Sequence, residues 1–370
     1  MSGSSFPQRW LVIILTHNEP ISLIKTCLHS VREATNFLTA QYPTSTVHVC
    51  VVDDSTPQLQ CALQEIAESL GIELVNATGT ISQKRNIGCR DSEADVVVFT
   101  DADCGVDQRW LATHAAAYAR YPTAPAVAGV TVHQAESTPG YTAMRCAGLL
   151  VGFQFPEIMS STLWAPCSNL SLRMDVFKEV GGFDETFTYG AEDVDLGLRV
   201  CDASGQRIVC EASSIVYHAP EPFAHGIYRR AWTWGKGEAL LLPRHPLYLV
   251  PSPPKPILFV LLSLGWALTS ILIFQRWVPL VAFLAIFVLG GPLQEAWETK
   301  VSWPVVIRTR LLRSLFYLGT YMGLLKARQP GLLGKQMNYG DGQFAYEWST
   351  VARDIWEFFI FVLIIGVTLR

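Results

Sequence analysis

The sequence Val-Val-Val-Phe-Thr-Asp-Ala-Asp, at residues 96–103, joins an apolar run to two carboxylates. Its apolar part, residues 96–99, predicts a short buried β-strand. If the extended conformation persists, Asp101 and Asp103 point to the same side, because side chains two residues apart in a strand share a face. Two carboxylates there favour a site for Mg²⁺ or Mn²⁺, with a solvated turn as the alternative.

Similar runs recur on either side of this stretch. Strands are predicted at residues 11–15, 47–52, 72–75 and 127–132, and helices at 21–37, 58–70 and 110–121. Strands separated by helix-length segments predict an α/β fold with a mostly parallel sheet covered on both faces. Sheets of this kind bind ligands beyond the carboxyl ends of their strands.

A second acidic pair, Asp53 and Asp54, follows the predicted strand at residues 47–52. Carboxylates in this position commonly accept hydrogen bonds from the base or ribose of a nucleotide. Helix capping by Asp54 and Ser55 is the alternative. A receiver domain also carries acidic residues after a strand, but its phospho-acceptor and lysine positions are not evident here.

Residues 82–88 begin a predicted amphipathic helix between the two acidic pairs. Lys84 and Arg85 are candidates for contacts with phosphate groups, and Asn86 is a candidate for a bond to a ribose or sugar. The alternative is a solvated helix face.

A third acidic cluster, Glu192, Asp193 and Asp195, stands where a further helix is predicted to begin, after a tight turn at Gly181 and Gly182. The dipole at the helix N-terminus would hold Asp193 ionised, as a general base requires. Alternatively, the acids only complement the helix dipole, which suits Asp195 best.

Taken in order, these motifs resemble those of family 2 glycosyltransferases, which have the GT-A fold. The resemblance extends over residues 10–220 and rests on Asp53 with Asp54, residues 84–88, 101–104, 168–173 and 181–185, and Glu192 with Asp193. It implies inverting hexosyl transfer from a nucleoside-diphosphate sugar, with a UDP-sugar as the expected donor and Mg²⁺ or Mn²⁺ as the metal.

The resemblance also implies a role for each acidic residue. Asp53 and Asp54 would bind the nucleotide, Asp101 and Asp103 would hold the metal and the diphosphate, and Asp193 would be the catalytic base.

Further residues of the site follow from the same resemblance. Glu192 is expected to be catalytic together with Asp193, and the residues expected around the donor are Lys84, Arg85, Asn86, Asp101 and Asn169. Asn169 and Arg173 would lie near the donor sugar or support the acceptor loop. His218, after a predicted strand at residues 215–217, resembles a third metal ligand of some GT-A enzymes, although a lone histidine is more often structural.

Processive members of the family carry a Gln-x-x-Arg-Trp motif on an interfacial helix. Residues 228–235 lack the glutamine and displace the arginine, which disfavours processive polysaccharide synthesis. The surrounding stretch, residues 223–242, nevertheless combines cations and aromatic rings suited to lipid headgroups or the acceptor, namely Arg229, Arg230, Trp232 and Trp234. A helix packed under the catalytic domain is the other interpretation.

Two apolar runs follow the proline-rich stretch after residue 250. They cover residues 256–274 and 277–293, with only Gln275 and Arg276 between them, and predict a tight membrane hairpin. A buried core hairpin is the alternative, although core helices rarely lack a polar face over such a length. Residues 311–325 and 355–369 are further apolar segments, the second interrupted by Glu357.

The distribution of cations around the hairpin predicts its orientation. Lys300, Arg308, Arg310 and Arg313 cluster beyond the hairpin, whereas its turn carries one arginine. The positive-inside rule therefore places this cluster, and the catalytic domain with it, in the cytoplasm.

The composition agrees with this division. Half of the residues are hydrophobic, 16% are charged and the mean hydropathy is +0.25, which is too apolar for an ordinary soluble enzyme. The formal charge of -4 offers no basic surplus for a phosphate backbone, so nucleic acid is not an expected partner. Nine cysteines without a Cys-x-x-Cys pair predict reduced thiols rather than a zinc site or a disulfide framework.

These expectations divide the chain into a GT-A catalytic domain at residues 1–222, an interfacial segment at 223–255 and a membrane domain at 256–370 with two to four spans. The expected acceptor is a membrane lipid or a lipid-linked glycan. The alternatives are a processive polysaccharide synthase and a non-catalytic membrane scaffold that retains the fold, although the intact acidic motifs argue against the scaffold.

Overall fold

The computed structural model describes residues 6–134, 138–219, 226–252, 256–339 and 355–363. The chain divides into two compact units, the first within residues 1–136 and 150–222 and the second within residues 137–149 and 223–370. Residues 137–149 were expected in the catalytic domain from the sequence, but they group with the second unit.

The first unit is built on one sheet. Its strands are β1 (Arg9–Thr16), β2 (Thr46–Asp53), β3 (Glu73–Asn76), β4 (Val96–Asp101), β5 (Cys104–Val106), β6 (Ala126–His133), β7 (Ser161–Thr162), β8 (Leu170–Arg173) and β9 (Ile208–His218). The order is β3-β2-β1-β4-β8-β6-β9-β5, and β7 pairs with β9.

Strand direction changes across this sheet. Strands β3, β2, β1 and β4 are parallel neighbours, whereas β8 runs antiparallel to both β4 and β6. The prediction of a mostly parallel sheet is therefore right for the part that carries the first two acidic pairs, and β6 and β9 form one further parallel pair. The sheet is mixed because the four-residue strand β8, too short to stand out in the sequence, lies between β4 and β6, and because the short strands β5 and β7 pair antiparallel with β9.

Helices account for most of the remaining described residues. They are α1 (Ile21–Gln41), α2 (Pro57–Leu70), α3 (Ile81–Cys89), α4 (Trp110–Arg120), α5 (Pro139–Cys146), α6 (Phe155–Ile158), α7 (Met174–Glu179), α8 (Glu192–Ser204), α9 (Gly226–Arg244), α10 (Pro256–Phe274), α11 (Val278–Phe283), α12 (Gly291–Thr299), α13 (Trp303–Lys326) and α14 (residues 355–363). A π-helical turn, Leu284–Gly290, joins α11 to α12.

Both faces of the sheet are covered, as predicted. The alternation of β1 shows this: Trp10, Val12 and Ile14 face a core shared with α1, α2 and α4, while Leu11 and Ile13 face a second core shared with α7 and α8. Helix α3 lies close to the sheet at Gly88. A Cβ at this position would lie only 2.8 Å from Ile13 Cδ1, so the approach depends on glycine. A capping box between Thr80 and Gln83 fixes where this helix begins.

The register of β1 places the acidic pairs at one edge. Thr16 pairs with Asp53 on β2, and Leu15 pairs with Asp101 on β4. The two aspartates therefore flank the carboxyl end of β1, separated by two strand spacings of about 5 Å each.

In the second unit, α9 and α13 pack backbone against backbone. A Cβ at Gly235 would overlap the carbonyl oxygen of Phe316, and a Cβ at Gly319 would overlap that of Trp232. The apolar segment predicted at residues 311–325 is part of α13, which extends over 24 residues. Helix α5 joins the same unit, since Thr309 Oγ1 donates to Ala143 O at 3.4 Å and Arg313 Nη2 donates to Cys146 O at 3.2 Å.

Apolar helices occur where the membrane hairpin was predicted. Helix α10 coincides with the run at residues 256–274. By length and composition one helix of the described residues, Val278–Thr299, is long and apolar enough to cross a membrane, and Leu258–Ile273 is a shorter apolar helix. Of the segment predicted at residues 355–369, residues 364–369 lie outside the described part of the chain.

A cluster of charges ties α14 to α12 and α13. Arg310 Nε lies 2.7 Å from Glu295 Oε2, and its Nη2 lies 2.9 Å from Glu357 Oε1. Both glutamates are buried, so each depends on the shared guanidinium. The glutamate that interrupts the last apolar run therefore has a partner inside the helical bundle.

The close approach of α9 and α13 can be tested with two helical glycines. Gly235→Ala should lower the free energy of unfolding of the full chain by about 1 to 3 kcal/mol, because the added methyl group forces the helices apart. Gly265 in α10 has open space around it, so Gly265→Ala should be neutral or stabilising by up to about 1 kcal/mol. Thermal unfolding in detergent measures both variants, and equal melting temperatures would contradict the packing described.

Candidate active site

Asp53 shapes the turn that follows β2. It is fully buried, and its Oδ1 accepts hydrogen bonds from the Ser55 backbone N–H at 3.1 Å and the Ser55 hydroxyl at 2.6 Å. Asp53 Oδ2 is buried without a hydrogen-bond partner in the described part of the chain. Thr56 is the N-cap of α2 and its side chain caps nothing, so helix capping by Asp54 and Ser55 is excluded.

Asp54 is held between Lys84 and His17. Its Oδ1 lies 2.8 Å from Lys84 Nζ and 2.8 Å from His17 Nδ1. Burial favours the neutral acid, but the hydrogen bonds and charges of Lys84 and His17 outweigh it and lower the pKa of Asp54. Lys84 also donates to Thr16 O at 3.2 Å. Asp54 is therefore an ionised group at neutral pH.

The loop after β1 contributes residues that the sequence analysis missed. His17 is largely exposed beside Asp54. Asn18 has a positive φ of 59° and links the two loops, because its backbone N–H donates to Ser55 Oγ and its Oδ1 accepts from the Thr56 N–H. Glu19 accepts from Thr16 Oγ1 at 2.7 Å. The polar sequence Thr-His-Asn-Glu directly after an apolar strand is the signal that could have identified this loop.

Lys84 and Arg85 are both buried, so the alternative of a solvated helix face is wrong. Arg85 Nη1 lies 2.8 Å from Glu192 Oε1, and its Nη2 lies 3.3 Å from Asp101 Oδ1. Burial disfavours the charge of Arg85, but these carboxylates raise its pKa and keep it cationic. The predicted phosphate contacts of Lys84 and Arg85 stay predictions, since both cations already hold carboxylates.

Asp101 and Asp103 approach one another by a route different from the one expected. Strand β4 ends at Asp101, and a turn at Ala102 and Asp103 leads into β5, so the extended conformation does not persist. Cys104 pairs with His218 in the β5–β9 ladder, and this places His218 Nε2 3.5 Å from Asp103 Oδ2. Burial raises the pKa of Asp103, His218 counteracts the rise and Asp101 adds to it.

The residues around Asp103 fit a divalent cation. Ligand atoms of Asp103, Cys104 and His218 lie within 4.8 Å of one another. His218 Nδ1 is 2.8 Å from Ala219 O, a bond that makes Nδ1 the donor and leaves the Nε2 lone pair directed at the site. Burial raises the pKa of Cys104 well above its ordinary value, so its thiol stays neutral and is no ligand for a hard cation. Carboxylate and imidazole groups are the suitable ligands here.

The start of α8 presents Asp193. Ala191 precedes the helix with a φ of 70°, a left-handed conformation that costs about 1 to 2 kcal/mol for a residue with a Cβ. Burial and the charge of Glu192 raise the pKa of Asp193 to about 7, against the opposing effect of Arg85. The expectation that the helix dipole holds Asp193 fully ionised is therefore wrong. Its proton-binding range lies near neutral pH, where a general base works best.

Asn86 fastens α3 to the glycine turn. Its Oδ1 accepts from the Phe183 N–H at 2.9 Å, and its Nδ2 donates to Phe183 O at 2.9 Å and to Glu185 Oε1 at 3.1 Å. Gly181 and Gly182 have φ values of 78° and 71°, as their predicted tight turn requires. The predicted contact of Asn86 with a ribose or sugar stays a prediction.

Asn169 lies in the interior of the sheet rather than at the site. The ladder between β6 and β9 shifts register after Gly129, and Asn169 Nδ2 donates to the carbonyls of Val130 and Ser214 beside this bulge. Its Oδ1 accepts from the Trp110 indole at 2.8 Å. With 1% of its surface exposed, Asn169 does not fit the expected contact with the donor sugar.

Arg173 also lies away from the acidic pairs. It pairs with Val96, the first residue of β4, whereas Asp101 is the last. Its guanidinium donates to Ala124 O at 3.0 Å and stacks over Tyr118. The expectation that Arg173 lies near the donor sugar is therefore wrong.

The cations and aromatic residues of the interfacial segment lie on α9 in the second unit. Arg230 stands over the Trp234 ring at 5.8 Å, and Lys236 stands over the Trp232 ring at 5.9 Å. Arg229 is exposed. Contact of Arg229, Arg230, Trp232 and Trp234 with lipid or acceptor stays a prediction.

Carboxylates gathered at one edge of a mixed α/β sheet, with a histidine beside them, define this unit as a nucleotide-sugar-binding domain of the GT-A type. Residues 11–181 match the family model described as Glycosyl transferase family 2. The chain therefore carries a glycosyltransferase family 2 domain, and the resemblance of its motifs is confirmed.

Two curated relatives come from the archaeon Haloferax volcanii. Glycosyltransferase AglE is 28% identical over 231 residues, which cover 61% of this chain and 72% of that protein. A glucosyl-dolichyl phosphate glucuronosyltransferase is 29% identical over 153 residues, which cover 37% of this chain and 47% of that protein.

A solved structure shares the fold. A mannosyltransferase from Pyrobaculum calidifontis, in complex with GDP-Man and Mn²⁺, superposes with a TM-score of 0.55 at 20% sequence identity. The match covers 87% of this chain and 89% of that one.

The Lys84–Asp54 pair makes a prediction about stability and pH. Lys84→Met should lower the free energy of unfolding by about 1 to 3 kcal/mol at pH 7, because it leaves a partly buried carboxylate without its lysine partner. Since pairing holds the pKa of Asp54 below its ordinary value of 3.8, the stabilisation is present at neutral pH and disappears as the pH falls through the lowered pKa.

Urea unfolding between pH 7 and pH 3 tests this. The difference between wild type and Lys84→Met should shrink towards the acid end. Lys178 is exposed and donates to Ser92 O, so Lys178→Met serves as the control and should change stability by less than about 0.5 kcal/mol. A Lys84→Met penalty that stays constant with pH would exclude Asp54 as the partner.

Proposed function

We propose that this protein is a metal-assisted, inverting glycosyltransferase that moves a hexosyl group from a nucleoside-diphosphate sugar, in the first instance a UDP-sugar, to a membrane lipid or lipid-linked acceptor. The observation that carries the proposal is the position of Asp193. Arg85 is a charged neighbour of both Asp193 and Asp101. The proposed base, with a pKa near 7, is therefore coupled electrostatically to the carboxylate at the end of β4.

The donor is assigned to the carboxyl edge of the sheet. The nucleotide would lie against the loops after β1 and β2, where Asp53, Asp54 and the exposed His17 are found. Asp101, Asp103 and His218 would hold Mg²⁺ or Mn²⁺. A divalent cation bound there supplies neutralising charge for the departing diphosphate.

The base is assigned to Asp193. In the proposed step the acceptor hydroxyl oxygen attacks the anomeric carbon, its proton passes to the Asp193 carboxylate, and the bond from the anomeric carbon to the diphosphate oxygen breaks. Attack from the side opposite the leaving group inverts the configuration. With a pKa raised to about 7, the Asp193 carboxylate can accept a proton at a pH near neutrality.

A lipid acceptor is supported by the second unit and by a relative. Helices α10, α11 and α12 expose large apolar side chains such as Leu262, Leu272, Val281 and Trp297. Surfaces of this kind suit contact with lipid hydrocarbon. The relative named as a glucosyl-dolichyl phosphate glucuronosyltransferase carries a lipid-linked sugar in its name. We accordingly propose that the second unit is embedded in the membrane and that the GT-A domain faces the cytoplasm.

The role of the metal is tested at Asp103. Asp103→Ala should remove most transfer activity and should abolish any stimulation by Mn²⁺, because Asp101 and His218 alone hold the cation poorly. Diphosphate release from UDP-glucose, UDP-N-acetylglucosamine and GDP-mannose in the presence of native lipid extract measures this. Asp107, which lies beyond β5 and pairs with Arg109, supplies the control variant Asp107→Ala. Full wild-type activity in excess chelator would show that transfer does not need a divalent metal.

The base is tested with Asp193→Asn. The amide keeps the size of the side chain but accepts no proton at neutral pH, so transfer should fall by a factor of about 10² to 10⁴. Wild-type transfer should decline as the pH falls below about 7, where Asp193 becomes protonated. Calorimetry with a nucleoside diphosphate and Mn²⁺ should give an affinity near that of wild type. If Asp193→Asn keeps most of its turnover while Glu192→Gln loses it, the base is Glu192.

A further inference from the structure

Arg85 occupies a position that the proposed reaction has not yet explained. Its guanidinium is 5% exposed and lies between two carboxylates that come from different elements, Asp101 at the end of β4 and Glu192 at the start of α8. The Phe183 ring covers it at 5.3 Å. The donors that would reach a phosphate are thus turned towards the protein.

The planar fork of arginine suits this position. Two of its nitrogens, Nη1 and Nη2, serve one carboxylate each. A lysine ammonium is a single point charge on a flexible stem and lacks this fixed pair of directions. Loss of the fork therefore releases the strand end and the helix start from one another, even where the positive charge is kept.

We propose that Arg85 is a positioning residue, which fixes the donor-side carboxylate of Asp101 and the base-bearing start of α8 in one geometry. This inference rests on the proposed function, because it takes Asp193 as the base. It replaces a direct phosphate contact, the role suggested by the sequence, with a role exerted through the two carboxylates.

The charges around Asp193 make the proposal measurable. The carboxylate of Glu192 raises the pKa of Asp193 and the guanidinium of Arg85 lowers it, after the larger effect of burial. Asp101 places a further negative charge beside Arg85, and burial raises the pKa of the neighbouring Cys167 thiol well above its ordinary value, so it stays neutral. Removal of the cation and removal of the neighbouring carboxylate should therefore shift the titration of Asp193 in opposite directions.

The experiment compares Arg85→Gln, Glu192→Gln, their double variant and Arg85→Lys in the full-length protein. Diphosphate release is followed between pH 5 and pH 9 with the sugar nucleotide on which the wild type is most active. The affinities of UDP and GDP are measured by calorimetry with and without Mn²⁺.

For Arg85→Gln, the pH below which transfer declines should rise by about one unit or more, because the favourable charge is lost. For Glu192→Gln it should fall, and for the double variant it should return near the wild-type value. Arg85→Lys keeps the charge, so this pH should stay in place while transfer falls at least about tenfold through lost geometry. Diphosphate affinity without Mn²⁺ should be unchanged in Arg85→Gln.

The control is Arg199→Gln on the same helix. Arg199 pairs with Asp195 and donates to Val180 O, so its loss disturbs α8 without touching Asp101 or Glu192. This variant should leave the pH profile as in wild type. If Arg85→Gln does not fold, Arg85→Lys and Glu192→Gln carry the test.

Two results would overturn the inference. A loss of diphosphate affinity in Arg85→Gln that is equally large with and without Mn²⁺ would show direct phosphate binding, and an unmoved pH profile in both glutamine variants would show that Arg85 does not act on Asp193. A failure of the proposed function looks different, because the wild-type decline at low pH would then survive in Asp193→Asn.

Discussion

The structure depends on strand β1 being paired on both sides by parallel neighbours. Parallel strands leave their carboxyl ends at one edge, so the pairing that buries Ile13 and Ile14 also brings Asp53 and Asp101 to the end of β1. Hydrophobic burial thus forces negative charges together. That arrangement is costly unless cations lie nearby, and it explains why a helix carrying Lys84 and Arg85 packs against the same edge.

Two adjacent cations of helix α3 neutralise different carboxylates at this edge. Lys84 holds Asp54 ionised beside the end of β1, while Arg85 links Asp101 to Glu192 on the side of α8. The helix can do this because Gly88 lets it lie close to the sheet. Lys84 contributes to the lowered pKa of Asp54, whereas burial raises the pKa values of Asp103 and Asp193.

Local sequence patterns predicted most of the strands and acidic motifs. The predictions failed where contacts between distant residues determine the environment of a side chain. The six predicted strands, the acidic pairs and the helix carrying Lys84 follow from apolar periodicity and residue type. The burial of Asn169 does not follow from these patterns. Its side chain binds the Val130 carbonyl beside a register shift between β6 and β9, and this shift exists only in the assembled sheet. The acidity of Asp193 was misjudged because the helix dipole is visible in a sequence, whereas burial and the final distances to Glu192 and Arg85 are not.

The membership of α5 in the second unit affects how the chain is made. Ala143 precedes its partner Thr309 by 166 residues. At a synthesis rate of 5 to 20 residues per second, the partner emerges roughly 8 to 33 seconds later. The first unit can complete its sheet in that interval, before α13 is available to pack against α5. A polypeptide truncated before residue 303 would lack α13, so α5 would have no packing partner there. The second unit can therefore be completed only after α13 has been synthesised.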